Sequence, residues 1–386
     1  MKTEAWVLRH GKDAGEVGPD GISGFDIETI DLPEPGPGEV LVEPMYAAWE
    51  GNLGHAIERR PIDICEERGE DRVVLGNSGA VRVLRAGDRD GRFPEGAMCL
   101  VVPAGEVDRY GYTEKVHGYD RPGSSGILAR RMVLPAELLY RVDPSLGLTA
   151  QQVTAAGRYF IAWNNWNVAL ACWRSQMVGE DPADHLVFGW GGGVSQGGLL
   201  LARDLGFRTA MLTGSADRAR LVADMGITPL DRRDYPGMTP AAGSALPPEA
   251  RKMRVDSEAR FVEDVRAISP RGEGAAIVLD HIGGPVYVAT LKILARQGVL
   301  STVGWKAGMR LTHLRAVEAI GRRIHVNTHV THLRDVAPAV EYAAKTGWVP
   351  PIDERDVYAW EDGRRLAAAY NSGGTYSYFP MLKIND

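Results

Sequence analysis

Cysteine is scarce in this 386-residue chain, which contains only Cys65, Cys99 and Cys172. Their odd number and wide spacing argue against a disulfide framework, and no Cys-x-x-Cys pair is present for a structural zinc ion. The sequence begins without the apolar segment of a secretory signal peptide. It also lacks any run that approaches the roughly 20 apolar residues needed to span a bilayer. We therefore expect a cytoplasmic protein in a reducing compartment.

An excess of positive charge is also missing. The chain has 44 Lys and Arg against 50 Asp and Glu, a formal net charge of −6 and a pI near 5.9. This balance gives no electrostatic reason to expect a nucleic acid or an anionic membrane as partner. Hydrophobic residues make up 44% and charged residues 24%, as in ordinary globular proteins. A chain of this length predicts about two to three domains.

The first 150 residues read as short strands separated by turn residues. The strand-like segments are AWVLRH, EVLVEPMYAAW, VVLGNSGAVRVLRAGD, AMCLVVPAG and ILARRMVLPAELLYRV. A Pro-Gly-Pro-Gly turn at 35–38 separates the first of them from the second. This part of the chain is therefore predicted to be a β-rich unit.

Beyond residue 148 the pattern changes to alternating helices and strands. LTAQQVTAAGRYFIAWNNWNVALACW predicts a helix with Thr149 as its N-cap. The segments HLVFGW, RTAMLTG, ITPLD, GAAIVLDHIGG and VLSTVGW then read as strands, with helix-like segments between them. This alternation predicts a parallel, doubly wound sheet. Residues 232–257, with four prolines, interrupt it and are predicted to form a long loop.

The most informative segment is HLVFGWGGGVSQGG, where a strand runs through a glycine-rich turn into a helix. A dinucleotide pyrophosphate needs glycines in such a turn for close approach of the backbone, and the helix N-terminus supplies free N–H donors. Ser195 stands where many such loops have their last glycine. The predicted cofactor-binding residues of the turn are Gly189, Gly191, Gly192, Gly193 and Val194.

The end of the next predicted strand indicates which dinucleotide is bound. The segment RTAMLTGSADRAR has no acidic residue at the strand tip to accept the ribose 2′-hydroxyl of NAD. Ser215 and Arg218 instead offer a hydroxyl and a cation for a 2′-phosphate. The alternative is a solvated helix start with a capping serine. We predict NADPH as the cofactor.

Four segments, in this order, resemble the medium-chain dehydrogenase/reductase superfamily: GYDRPGSSGILARRMVLPAELLYRVDPSL, VFGWGGGVSQ, VLDHIGG and QGVLSTVGW. Within it, the sequence looks most like the zinc-free crotonyl-CoA carboxylase/reductase group of enoyl-thioester reductases. The resemblance implies an α/β protein of two domains. A GroES-like, β-rich catalytic domain would comprise 1–155 and 331–386, and a Rossmann NADP-binding domain with a doubly wound parallel sheet would comprise 156–330.

The resemblance also implies an activity. In this group a hydride passes from NADPH to the β-carbon of an α,β-unsaturated thioester, carried by CoA or by an acyl carrier protein. The resulting enolate is then protonated or attacked by carbon dioxide at the α-carbon. The group further implies cofactor contacts at His281, Val303 and Gly304, and a homodimer or homotetramer.

Zinc-dependent relatives place a Cys after the second strand, a Gly-His-Glu after the third and a four-Cys cluster in the next loop. Here the corresponding segments are AAWEGN, LGNSG and a loop without clustered cysteines. A catalytic zinc ion needs three protein ligands and an open position. We therefore expect no zinc, and regard His55 and Cys65 as structural residues.

Two short segments provide candidate catalytic groups. In the resembled fold, the loop with Glu50 and Asn52 faces the nicotinamide, and either residue matches the family's Asn. A carboxyl beside Trp49 could have a raised pKa and act as an acid, and the alternative is a solvated loop carboxylate. Tyr119 and Asp120 stand where the carboxylating members have Phe-Glu. Because this pair is altered and the family's further histidine has no match, we favour reduction over carboxylation.

The candidate substrate-pocket residues are Trp49, Asn77, Trp163 and Asn164. Asn164 matches an Asn of the family, whereas Trp163, Trp166 and Trp173 do not. A tryptophan stripe at helical spacing is more typical of a core than of a site, but both alternatives remain open.

Three functions remain at this stage. The first is an NADPH-dependent enoyl-thioester reductase of a biosynthetic pathway. The second is another zinc-free activity on the same scaffold, such as a quinone or enone reductase or a reductive carboxylase. The third is a repurposed protein that binds the nucleotide without net redox turnover, suggested by the departures from the family pattern at Ser195, Glu50 and the tryptophans.

Overall fold

The computed structural model describes residues 1–11, 17–18, 21–60, 62–87, 91–238, 247–303, 321–328 and 332–386. The chain divides into two compact units. The first unit comprises Met1–Phe160 and Thr331–Asp386, and the second comprises Ile161–Val330. The division therefore falls at residue 160, inside a helix, where the sequence predicts it at residue 155.

Short strands dominate the N-terminal part of the first unit, as the sequence predicts. In chain order its elements are β1 (Lys2–Arg9), β2 (Val17–Gly18), β3 (Gly21–Ile22), β4 (Phe25–Asp31), β5 (Glu39–Ala48), α1 (Gly51–Glu58), α2 (Ile64–Arg68), β6 (Arg72–Val74), β7 (Gly79–Ala86), β8 (Met98–Val101), β9 (Gly105–Val107), β10 (Thr113–Val116), β11 (Met132–Pro135) and β12 (Leu139–Arg141).

Alternating strands and helices follow, and the chain then returns to the first unit. The elements from residue 150 to residue 328 are α3 (Ala150–Gln176), β13 (Leu186–Trp190), α4 (Gly193–Asp204), β14 (Arg208–Thr213), α5 (Ala216–Asp224), β15 (Thr228–Asp231), α6 (Pro248–Ile268), β16 (Ala275–Asp280), α7 (Gly284–Ile293), β17 (Leu294–Thr302) and β18 (His325–Thr328). The C-terminal elements are α8 (Val336–Thr346), β19 (Val357–Tyr358), α9 (Gly363–Ser372) and β20 (Met381–Lys383).

Among its described residues, the first unit is built on a seven-stranded sheet. The strand order is β12-β8-β7-β5-β20-β19, and β11 also pairs with β5. All neighbours in it are antiparallel except β19 and β20. The sequence reads residues 73–88 as one strand, but the structure breaks it at 75–78. Gly76 causes this break, because its φ of 105° and the proximity of Ile127 leave no room for a side chain.

The second unit contains a six-stranded parallel sheet in the order β15-β14-β13-β16-β17-β18. Counted from β13, this order is 3-2-1-4-5-6, the arrangement of dinucleotide-binding Rossmann folds. Strand β13 lies in the middle and is buried along its whole length. In sheets of this order, ligands bind at the carboxyl ends of the central strands, which is where the glycine-rich turn lies.

Two sequence predictions in the second unit are wrong. Residues 248–257 are not part of a loop, because α6 begins at Pro248 and runs for 21 residues. A proline in the first turn is compatible with a helix, since its missing N–H has no intrahelical partner there. In addition, the helix-like segment between the predicted strands GAAIVLDHIGG and VLSTVGW, which reads PVYVATLKILARQG, is not one helix. It changes from α7 to β17 at Leu294, and Gln297 adopts a φ of 63°.

Helix α3 begins as the sequence predicts. The Gln152 N–H donates to Thr149 Oγ1 over 3.2 Å, and the Thr149 N–H donates to Gln152 Oε1 over 2.9 Å, which together form a capping box. Trp166 and Trp173 are 2% exposed and pack edge-on against Phe207. These two tryptophans are therefore core residues. In the part of the chain that the structure describes, no helix is both long and apolar enough to cross a membrane.

Candidate active site

The glycine-rich turn joins the end of β13 to the start of α4. Gly192 is the N-cap of α4, and Gly191 has a φ of 102°, a conformation that side chains rarely adopt. A Cβ at Gly191 would also lie 3.1 Å from the Cβ of His281. The backbone N–H groups of the first turn of α4 have no partner within the helix and carry its positive dipole end. The turn can therefore hold an anionic phosphate group.

A chain of buried hydrogen bonds fixes this turn. The Ser195 hydroxyl donates to the Trp190 carbonyl and lies 2.7 Å from His281 Nδ1. Asn165 Nδ2 lies 2.8 Å from His281 Nε2. Because an amide NH₂ can only donate, Nε2 accepts this bond and Nδ1–H donates to Ser195. The chain ties α3, α4 and the end of β13 together.

His281 is held neutral in this position. Burial lowers the pKa of its imidazole to about 4. Both ring nitrogens are engaged by Ser195 and Asn165, so the ring stabilises the turn instead of offering a donor to a ligand. The predicted cofactor contact of His281 is therefore restricted to its backbone and Cβ. Ser195, at the position of the missing glycine, has its hydroxyl in a structural role.

The end of β14 presents the residues predicted to meet a 2′-phosphate. Ser215 is the N-cap of α5, and its hydroxyl accepts the Arg218 N–H over 3.3 Å. Arg232 reaches the same strand end from the turn after β15. A Cβ at Gly214 would lie only 3.0 Å from its Nη2. Arg232 is exposed and its guanidinium offers a cation beside Gly214, while Arg218 lies in the first turn of α5, after Ser215.

The end of β16 completes this face of the sheet. Asp280 Oδ1 accepts the N–H groups of Ile282 and Gly283, and Oδ2 accepts the Thr302 hydroxyl over 3.3 Å. The Val303 N–H donates to the Asp280 carbonyl over 3.1 Å. Val303 therefore follows directly from the end of β17, as the sequence predicts. Gly304, its predicted partner in cofactor binding, lies outside the described residues.

In the first unit, Glu50 lies buried between the end of β5 and the start of α1. It is 6% exposed, so it is not the solvated loop carboxylate that the sequence left open. Arg158, on α3, lies beside it, with its Nε 3.7 Å from Glu50 Oε1. Burial raises the pKa of the Glu50 carboxyl, and the attraction of Arg158 opposes this only in part. Trp49, the predicted hydrophobic neighbour, is fully buried.

Asn52 and Asn77 come together as a pair. Asn52 Nδ2 donates to Asn77 Oδ1 over 3.0 Å, which connects α1 to the segment between β6 and β7. Asn77 is 5% exposed. The structure thus brings one predicted catalytic residue and one predicted pocket residue into contact. Of the remaining pocket residues, Asn164 is buried and Trp163 is half-buried, both on α3 in the second unit.

Tyr119 and Asp120 lie in the turn after β10. Asp120 Oδ1 accepts the Val116 N–H over 2.6 Å and closes the turn, and Arg68 donates to the Tyr119 carbonyl over 3.2 Å. The Tyr119 hydroxyl is buried, and burial raises its pKa. These contacts show how the turn is held.

Arg158, Arg232 and Asn165 are the residues that sequence reasoning did not assign to a site. Arg158 carried a signal, because it is the one charged residue in the apolar helical segment 150–173. Arg232 lies at the start of the segment 232–257, which the sequence predicts to be a loop. Asn165 carried little signal beside the matched Asn164.

One cluster of potential metal ligands lies in the first unit. His10, Asp63 and Glu66 form the single group of three or more His, Cys, Asp or Glu residues in the described ranges whose ligand atoms all lie within 4.8 Å of one another. Asp63 in this group already caps α2 and pairs with Arg59. His10 and Glu66 are exposed. Independence from zinc stays a prediction.

No protein-family model and no curated protein matches this chain. Solved structures do match. Crotonyl-CoA carboxylase/reductase AntE, solved with NADP, has a TM-score of 0.76 at 20% identity and covers 99% of this chain and 94% of its own. The 2-octenoyl-CoA carboxylase reductase CinF, solved with NADP and 2-octenoyl-CoA, gives 0.74 at 17% identity, with 100% and 90% covered. An NAD-dependent alcohol dehydrogenase gives 0.73 at 18% identity, with 99% and 100% covered.

These likenesses confirm the predicted fold. The chain is an α/β protein with the fold of the medium-chain dehydrogenases/reductases, and crotonyl-CoA carboxylase/reductases are among the solved structures that share it. At identities of 20% and below, the fold is what the likeness shows. The activity has to be argued from the residues of this chain.

Proposed function

We propose that this protein is an NADPH-dependent, zinc-independent reductase of α,β-unsaturated thioesters, carried by CoA or by an acyl carrier protein, in a biosynthetic pathway. The observation that carries the proposal is the glycine-rich turn at the central strand β13, together with the basic residues at the end of β14. Two proteins of the same fold, AntE and CinF, were solved with NADP, and CinF also with an enoyl-CoA.

The residues present fit a bound NADPH. The N–H groups at the start of α4 would bind its pyrophosphate, and Ser215, Arg218 and Arg232 would bind its 2′-phosphate. NADPH supplies a hydride when it is bound. The second unit is thus the proposed cofactor-binding domain and the first unit the proposed catalytic domain.

Glu50 is the proposed proton donor. Its buried carboxyl, with a raised pKa, keeps its proton to a higher pH than a solvated glutamate does. Reduction of a C=C bond needs a proton at the α-carbon after the hydride has reached the β-carbon. Asn52 follows Glu50 by two residues, and its pair with Asn77 would help to shape the site.

The decisive experiment measures NADPH oxidation by the purified protein with crotonyl-CoA, with and without bicarbonate, and identifies the product by mass. We expect oxidation and butyryl-CoA in both cases. A product heavier by one carboxyl group would establish a reductive carboxylase instead. Oxidation with quinones but with no enoyl thioester would establish the quinone or enone reductase, and binding of NADPH without any turnover the repurposed protein.

Cofactor choice is tested separately. We expect Arg218→Gln combined with Arg232→Gln to weaken NADPH binding by about tenfold or more and to leave NADH binding nearly unchanged, because only NADPH has the 2′-phosphate. Arg208→Gln, an exposed arginine at the opposite end of β14, is the matched control. Equal losses for both nucleotides would contradict the assignment. Gel filtration with light scattering tests the predicted homodimer or homotetramer.

A further inference from the structure

The Glu50–Arg158 pair contains an unusual set of unsatisfied groups. The two side chains are only 8% and 7% exposed. Glu50 Oε1 and the Nε and Nη2 atoms of Arg158 are buried without a hydrogen-bond partner among the described residues. Buried polar groups are nearly always hydrogen-bonded, so several orphaned atoms that face one another require an explanation.

A simple closed ion pair does not describe this arrangement. The 3.7 Å between Arg158 Nε and Glu50 Oε1 is longer than a hydrogen bond. Arg68 and Glu70 show the closed form elsewhere in the same unit, with Nε and Nη2 donating to the two carboxylate oxygens over 3.0 and 2.8 Å. The Nε–Nη2 edge of the guanidinium thus makes two hydrogen bonds to Glu70 in Arg68 and, within the described part of the chain, none in Arg158.

The backbone holds the open pair in place. Arg158 Nη1 donates to the Tyr378 carbonyl over 3.1 Å, and its guanidinium lies 5.7 Å from the ring centre of Phe379. The backbone N–H of Trp49 donates to the Pro380 carbonyl over 2.9 Å, which fixes the residue before Glu50. One segment, 378–380, therefore contacts both partners, and the Nε–Nη2 edge of Arg158 is left without a hydrogen bond among the described residues.

We propose that this edge of Arg158 binds the substrate's carbonyl oxygen, which becomes the enolate oxygen, while Glu50 protonates the adjacent α-carbon. The proposal rests on the proposed function for the identity of the substrate. Two N–H donors on one planar edge suit an sp² oxygen that gains negative charge. The α-carbon is one bond from the carbonyl carbon, so an acid beside the oxygen's donors is within reach of it.

The step balances. Hydride addition at the β-carbon breaks the C=C π bond, and its electron pair moves to the α-carbon and the carbonyl oxygen, where the Arg158 N–H groups stabilise the charge. The enolate then takes the Glu50 proton at the α-carbon and becomes a carbonyl again. Glu50 is left as a carboxylate beside Arg158, and solvent returns its proton.

The oxygen-binding edge can be tested without turnover. Crotonate has an anionic sp² oxygen of the proposed kind, and crotonamide has the same carbon chain without the charge. We expect calorimetric titration of the protein to show that crotonate binds roughly tenfold or more tightly than crotonamide. Crotonate affinity is expected to fall as the pH rises through the raised pKa of Glu50, because an ionised Glu50 repels the ligand.

Two variants and one control decide which residues are responsible. Arg158→Lys keeps the charge but loses the planar edge, so the preference for crotonate is expected to disappear. Glu50→Gln is expected to keep the preference and to abolish its dependence on pH. Arg82→Lys changes an arginine whose Nε and Nη2 already bind Glu43, and it is expected to leave crotonate affinity unchanged.

Turnover then separates this proposal from the proposed function. With crotonyl-CoA, Arg158→Lys is expected to lower kcat by about 10²–10³-fold, with NADPH affinity unchanged. If no enoyl thioester is reduced but crotonate binds through Arg158, the proposed function fails and the oxygen-binding edge stands. If thioesters are reduced while crotonate fails to bind and Arg158→Lys keeps full kcat, the oxygen-binding edge is overturned. Should Arg158→Lys not fold, the preference of the unmodified protein for crotonate and the Glu50→Gln pH profile decide.

Discussion

In the second unit, the buried Ser195 and Asn165 and the half-buried His281 satisfy one another, whereas in the first unit the buried side chains of Glu50 and Arg158 do not. The satisfied chain fixes the glycine-rich turn and leaves nothing for a ligand to bind. Each buried orphan, in contrast, costs about 1–3 kcal/mol. Proteins retain such costs mainly at functional sites. In this comparison the unsatisfied Glu50–Arg158 pair marks the proposed chemistry, and the satisfied side chains around His281 mark what holds the glycine-rich turn in shape.

The largest effect is expected from breaking the satisfied chain at its centre. His281→Ala removes two hydrogen bonds and leaves buried polar groups of Ser195 and Asn165 without this partner, so we expect a loss of about 3 kcal/mol in the free energy of unfolding. Urea denaturation measures it. His325→Ala, an exposed histidine on β18, is the control and should change little. An equally small loss for both would show that the chain does not stabilise the unit.

The hydrogen bonds of His281 also predict that the free energy of unfolding depends on pH. Because the pKa of His281 is about 4 in the folded protein and 6.5 is its ordinary value, its contribution to stability is fully present above about 6.5. It is lost as the pH falls towards 4, by up to about 3 kcal/mol. Urea denaturation at several pH values should show a steeper fall for the unmodified protein than for His281→Ala. Parallel curves would contradict the neutral, buried imidazole.

A smaller effect on the free energy of unfolding is expected at Ser195, which lies at one end of the series of hydrogen bonds through His281. Ser195→Ala leaves His281 Nδ1 without an acceptor and should cost about 2 kcal/mol. It should also weaken NADPH binding, because the turn loses its hydrogen bond to Trp190. Ser175→Ala, an exposed serine on α3, is the matched control for unfolding. Unchanged stability would mean that the glycine-rich turn does not need the hydrogen bonds of the Ser195 hydroxyl.

The smallest change in stability is expected in the first unit. Glu50 has a raised pKa in the folded protein, so its contribution is fully present below 4.5 and is lost as the pH rises through the raised value. Glu50→Gln mimics the protonated carboxyl, and we expect it to alter the free energy of unfolding by less than about 1 kcal/mol. A loss as large as that of His281→Ala would show that Glu50 and Arg158 form an ordinary structural pair.

Much of the second unit could be predicted from the sequence, because buried parallel strands and a glycine-rich turn leave strong local patterns. Residues 185–231 illustrate this, since the predicted strands HLVFGW, RTAMLTG and ITPLD are each present within one residue of their bounds. The start of α6 was not predictable in this way. Prolines at 247 and 248 were read as loop residues, although proline is also common in the first turn of a helix.

The candidate site was less predictable, because it depends on residues that meet only in the folded chain. Glu50 was found from its place after the second long strand, but its burial and its neighbour Arg158 come from packing against 378–380. Arg232 meets Gly214 only because β14 and β15 are adjacent and parallel. Such contacts leave no spacing in the sequence from which they could be read.

The position of β20 has a consequence for the order of folding. This strand lies between β5 and β19 inside the seven-stranded sheet, where Met381 pairs with Ala48. During synthesis, residues 46–48 on this side of β5 therefore stay unpaired until residues 381–383 have been made, although residues 39–42 on the same side can already pair with β11. A long-range pairing of this kind slows folding and exposes a strand edge to other chains. The yield of folded protein should accordingly depend on chaperones and on growth temperature more than its final stability suggests.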